Sequence, residues 1–237
     1  MDQSESGHAG PVASPLFTAL LLSLLAAWTV WGVVRVDRMR AVEHPNRALS
    51  YAATMLFEWC LFGLVTLGLR RRGIPLAAIM GARWRSAREV LHDIGIGAAF
   101  WGISFVLLAF FGALLRVGRM ARGLEYLIPE GPVELTMFVA LSITAGICEE
   151  TIFRGFLQRQ FTAWTRSVPA GLVISAIAFG AGHAYQGPRR AVVIGIYGAM
   201  FGVLAHRRRN LRPGMMAHAW QDTVSGVVGS VMRRYVR

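Results

Sequence analysis

Few ionisable residues interrupt the apolar stretches of this 237-residue chain, and those best suited to chemistry fall in three short groups. The first is Glu149-Glu150-Thr151-Ile152-Phe153-Arg154, entered from an apolar run that ends at Cys148. On an α-helix each residue advances about 100°. Glu150 and Arg154, four apart, therefore share a face and can pair, while Glu149 projects about 140° away from Arg154. One carboxylate is neutralised and the other is left to point elsewhere. The second group is Phe179 and His183, four apart and on one helical face. The third is His218 and Asp222, with the same spacing, where a carboxylate can fix an imidazole tautomer. A carboxylate and histidines gathered in one confined cavity can activate water, which is the chemistry of hydrolysis.

Each group taken alone also fits a purely structural role: an ion pair with a spare carboxylate, or a histidine near a helix end. Other polar positions fit such roles better. Glu134 falls at a helix start, where a carboxylate complements the dipole. His206 precedes three arginines and reads as interfacial. Cys60 and Cys148 are far apart and show no C-x-x-C spacing, and Cys148 reads as a packing residue. Glu58 stands alone in an apolar run; it could pair with an arginine or sense protons.

The elements that must carry these groups are apolar. Hydrophobic residues make up 54% of the chain and charged residues only 16%, against about 25% charged in soluble domains. The apolar residues cluster in runs of roughly 20, the length that spans a bilayer core. The sequence thus predicts an all-α, polytopic transmembrane helix bundle of about seven spans, within a range of six to eight. They are expected near 15–34, 48–69, 94–115, 133–148 with a helix continuing through Phe161, 168–184, 191–205 and 215–231. A polar tail (1–14) precedes N-terminal transmembrane helices (15–132), a catalytic helical core (133–232) follows, and a basic tail (233–237) ends the chain. Residues 70–93 mix arginine with aliphatics and suggest a short amphipathic helix at the interface. The polar, acidic start lacks a secretory signal pattern, so the first apolar run reads as a retained span.

Net charge is +12, and all 25 basic residues are arginine. They lie mostly between apolar runs, where they would meet anionic headgroups. No nucleic-acid motif accompanies them, so nucleic acid is not an expected partner. Their distribution does not decide the orientation. Arginine-only, alanine-rich usage suggests a GC-rich bacterial genome and hence a bacterial inner membrane.

E-E-x-x-x-R, then F-x-x-x-H, then H-x-x-x-[ND], on successive transmembrane helices, resembles the CPBP family, the CAAX-protease and bacteriocin-processing family also called Abi. The resemblance covers about Glu134 to Ser230. It implies an intramembrane endopeptidase acting on a membrane-anchored protein or peptide. Glu149 and His183 would hold and activate the attacking water, His218 and Asp222 would stabilise the oxyanion, and Glu150, Arg154 and Phe179 would support the site. Asp222 stands where the family often has asparagine. A metal-free, glutamate-based mechanism is expected, with no cofactor. The alternative is zinc held by Glu149, His183 and His218, although H-E-x-x-H is missing. Other classes remain in view: a catalytically silent scaffold or immunity protein, and a proton-coupled transporter, which would call for two related halves that the sequence does not display.

Overall fold

The computed structural model describes residues 10–42, 45–117 and 125–235. The expected polar tail therefore lies outside the described residues through residue 9, and the basic tail from residue 236. Among the described residues all regular structure is helical. The helices are α1 (Pro15–Arg40), α2 (Arg47–Arg71), α3 (Leu76–Met80), α4 (Ala87–Leu114), α5 (Gly131–Glu149), α6 (Gln158–Thr165), α7 (Val168–Gly182), α8 (Pro188–Arg208) and α9 (Arg212–Tyr235). A π-helical segment, Glu150–Leu157, joins α5 to α6 without a break.

Local chemistry sets the starts. Ser14, Asn46, Ser86 and Ser167 cap α1, α2, α4 and α7 by accepting a backbone N–H from three residues on, as short polar side chains do at N-caps. Proline occupies the first turn of α1, α5, α7 and α8, where its missing N–H costs nothing.

Among the described residues, five helical stretches are long and apolar enough to cross a membrane: α1, α2, α4, the continuous stretch 131–165, and α8. α7 is apolar but has only 15 residues. α9, with 24 residues, is not among the five; His218, Gln221 and Asp222 interrupt its apolar sequence. The bundle is thus the expected all-α one. Large apolar side chains on α4, among them Ile103, Phe105, Val106 and Phe110, face outward. Lipid tails are as apolar as these side chains and would cover them.

α5 packs on α2 and α9, α7 on α6 and α8, and α4 on α9. Small residues permit the closest approaches. A Cβ at Gly146 would lie 2.6 Å from the Met215 carbonyl oxygen and 3.2 Å from the Ala219 Cβ. That contact brings the end of α5 and the His218 turn of α9 side by side. Phe156, Leu157, Leu69 and Val65 form the fully buried centre of the core, together with Leu21 from α1. The start of α1 is tied to α6: Gln160 accepts the Ala13 N–H (3.1 Å) and donates to the Ala13 carbonyl (3.0 Å).

Residues 70–93 hold the end of α2, the five residues of α3 and the start of α4, with Gly73 and Gly81 turning the chain at positive φ on either side of α3. α3 is docked inward. Ile79 is fully buried against Gly155, and Arg159 donates to the carbonyls of Ala78 (3.1 Å) and Ile79 (3.4 Å).

Candidate active site

The site begins where α5 changes pitch. All eight residues from Glu150 to Leu157 are buried. Their hydrogen bonds run from residue i to i+5, as in Gln158 N–H to the Phe153 carbonyl. Such wide turns cluster at functional positions. Nothing in the apolar sequence Thr-Ile-Phe predicted the change. The four-residue offset between Glu150 and Arg154 survives it: Arg154 Nη1 lies 2.9 Å from Glu150 Oε1, and both side chains are 1% exposed.

Arg154 has further contacts beyond Glu150. Nη2 donates to the Gly198 carbonyl on α8 (3.1 Å), and the guanidinium lies over the rings of Phe179 (4.2 Å) and Phe201 (5.1 Å). Gly198 makes room for this. A Cβ there would come within 2.9 Å of the Phe179 ring and 3.2 Å of Arg154 Nη2. Phe179, expected as a supporting residue, is thus the cation–π platform of the buried ion pair.

Glu150 also reaches across to α9. Its Oε1 lies 3.2 Å from His218 Nδ1. A carboxylate paired with Arg154 can only accept, so Nδ1 carries the proton. This contact was not legible from spacing. The expected partner of His218, Asp222, stands differently: its Oδ2 is 3.6 Å from Nε2, too far for a hydrogen bond. Glu149 Oε2 lies at the same 3.6 Å from Nε2. The imidazole is therefore oriented from behind by Glu150, and its Nε2 is flanked by the Glu149 and Asp222 carboxyl groups.

His183 follows the last residue of α7. Its Nδ1 donates to the Phe179 carbonyl at 2.9 Å, because a carbonyl oxygen can only accept. Nε2 then keeps its lone pair in the neutral ring. The His183 and Phe179 rings lie 4.8 Å apart, tilted by 53°. Glu149 and His183 line one cavity of about 90 Å³, room for several waters. Glu149 Oε2 is buried there with no hydrogen-bond partner.

The rest of the cavity wall comes from outside the three motifs. α1 supplies Trp28 and Arg35, and α2 supplies Phe57 and Glu58. Trp28 stacks on Phe57 with ring centroids 3.8 Å apart. Arg35 donates to Thr54 Oγ1 (3.0 Å) and lies over Trp31. An intramembrane arginine and glutamate are the only signals that could have pointed to this wall. Elsewhere the polar residues behave as their positions suggested. Glu134 accepts the Glu130 N–H at the start of α5, and Cys148 is buried in the core.

Among the described residues no group of three or more His, Cys, Asp or Glu side chains is arranged to hold a metal ion.

Residues 131–224 match the family model described as type II CAAX prenyl endopeptidase Rce1-like. That segment is similar to this family. It contains every motif residue from Glu149 to Asp222 and stops short of α1 and α2, which complete the cavity. No curated protein and no solved structure matches the chain significantly. The Rce1-like match and the apolar helices together make this an integral membrane protein. At the level of the family, the segment is similar to CAAX-protease-like intramembrane endopeptidases.

Proposed function

We propose that the protein cleaves a peptide bond of a membrane-anchored protein or peptide by means of a water activated by Glu149. The observation that supports this best is the buried, unpartnered Oε2 of Glu149 on the wall of a cavity shared with His183. A buried carboxyl oxygen without a partner is costly unless water or substrate meets it.

In this reading Glu149 takes a proton from the water while His183 Nε2 holds it in line. The oxygen adds to the scissile carbonyl carbon. The negative charge that develops on the carbonyl oxygen falls beside His218 Nε2 and Asp222. With Nδ1 engaged by Glu150, a protonated His218 presents Nε2–H to that oxygen. One such donor is worth roughly 2.7–4 kcal/mol in the transition state. The Glu150–Arg154 pair keeps the imidazole aimed.

The chemistry needs no cofactor from these residues. Cleavage of a membrane-anchored reporter peptide by the purified protein in liposomes tests the activity. Added o-phenanthroline should leave the rate within about twofold of the untreated value. A loss restored by zinc would overturn the metal-free reading.

Asp222 is a second test. Its side chain is 39% exposed and stands 3.6 Å from His218 Nε2. As a neutral acid it would donate to the oxyanion, and asparagine has the same shape and always donates. Asp222→Asn should therefore retain at least about a tenth of parental kcat/KM. A rate as low as that of Glu149→Gln would reject the donor role.

The cationic loops suit anionic headgroups. Arginine-only usage points to a bacterial inner membrane as the site of action. Comparing the membrane proteome of a deletion strain with its parent would identify substrates by their uncleaved forms.

A further inference from the structure

Glu58 lies on α2, outside the Rce1-like segment, and no motif claims it. The residue is 7% exposed, and its Oε2 is buried without a hydrogen-bond partner. It lines the cavity that Glu149, His183, Tyr185 and Arg35 also line. Among the described residues no cation pairs with it. Arg35, the guanidinium of that cavity, donates instead to Thr54 Oγ1 (3.0 Å) and the Ser50 carbonyl (3.4 Å). A carboxyl group at bilayer depth without donor or cation is expensive as an anion. It is retained there for a task.

Amide hydrolysis has such a task. The tetrahedral intermediate expels an amine, which leaves only when its nitrogen receives a proton. Glu149 has just accepted a proton from the attacking water. We propose that Glu58 is a second catalytic carboxyl of this site, the acid that protonates the departing nitrogen. The proposal rests on the reading of Glu149 as base. The hydroxide oxygen forms its bond to the carbonyl carbon, and Glu149 becomes a carboxylic acid. The C–N bond then breaks, its electron pair stays on nitrogen, and that nitrogen takes the Glu58 proton. The products are a carboxylic acid and an amine. Glu58 is left as a carboxylate, and a proton passing from Glu149 to Glu58 across the cavity restores both groups. The sum is peptide plus water, with nothing else consumed.

Leaving-group chemistry tests this directly. An activated aryl ester departs without a proton donor, whereas an amide does not. The full-length protein in liposomes is given the same membrane-anchored sequence with either a scissile amide or an aryl ester. Glu58→Gln should lower the amide rate about 100-fold and leave the ester rate within about threefold, because a general acid serves only the poor leaving group. The thermal midpoint should hold, since Oε2 makes no hydrogen bond that glutamine would break. An equal loss on both substrates, or an amide rate within about threefold of parent, overturns the proposal. If the glutamine variant fails to assemble, Glu58→Asp carries the test. Its acid is set back by one methylene and should slow the amide more than the ester; equal slowing overturns the proposal. Glu149→Gln is the separate control. It should lose both substrates, and if it keeps both, the assignment of the base fails rather than that of Glu58.

Discussion

Glu149→Gln should lower peptide cleavage at least about 10³-fold while the protein stays folded in the membrane. Glutamine keeps the shape of the side chain but cannot take a proton from water. The fold should not register the change. Glu149 Oε2 makes no hydrogen bond, and its nearest cationic neighbour, His218 Nε2, stands at 3.6 Å. The loss should therefore appear in kcat, with expression and thermal midpoint at parental values. Cleavage at more than a few per cent of the parental rate would remove Glu149 from the role of base.

Arg154→Ala has the opposite signature. Its partner Glu150 is 1% exposed, and losing the guanidinium leaves that carboxylate without its cation. Breaking a buried pair in this way typically costs about 3–5 kcal/mol. The rings of Phe179 and Phe201 also lose the group packed between them. The thermal midpoint in detergent should fall on the order of 10 °C, and activity should fall with it as His218 loses its fixed partner. Adding Glu150→Gln to Arg154→Ala removes the stranded charge and should recover part of the stability, though not the activity. A single Arg154→Ala variant as stable as the parent would show that the pair contributes nothing to the fold.

The helical character of the chain and the Glu150–Arg154 pair were legible because both depend on local spacing. Apolar runs of membrane-spanning length and a four-residue offset leave direct marks in sequence. The hold of Glu150 on His218 left no such mark, since it joins residues 68 positions apart across two helices. The same applies to the cavity wall. Trp28, Arg35 and Glu58 sit on α1 and α2 with no repeating offset from Glu149. The lone glutamate of α2 drew notice by its type, and its place in the cavity followed only from packing. A short helix within 70–93 was legible, but its bounds were not, since Gly81 ends α3 after five residues.

The π-helical turns from Glu150 to Leu157 constrain the chain in length more than in composition. A wider turn accommodates a residue that an α-helix would not. Deleting any one residue from this stretch would let the ordinary pitch close again. Everything beyond it would then rotate, and Gln158, which donates to the Gly202 carbonyl at 3.0 Å, would turn away from α8. Exchanging one apolar side chain for another of similar volume disturbs only packing. Related chains should therefore vary the apolar letters between Glu150 and Gln158 while keeping their number.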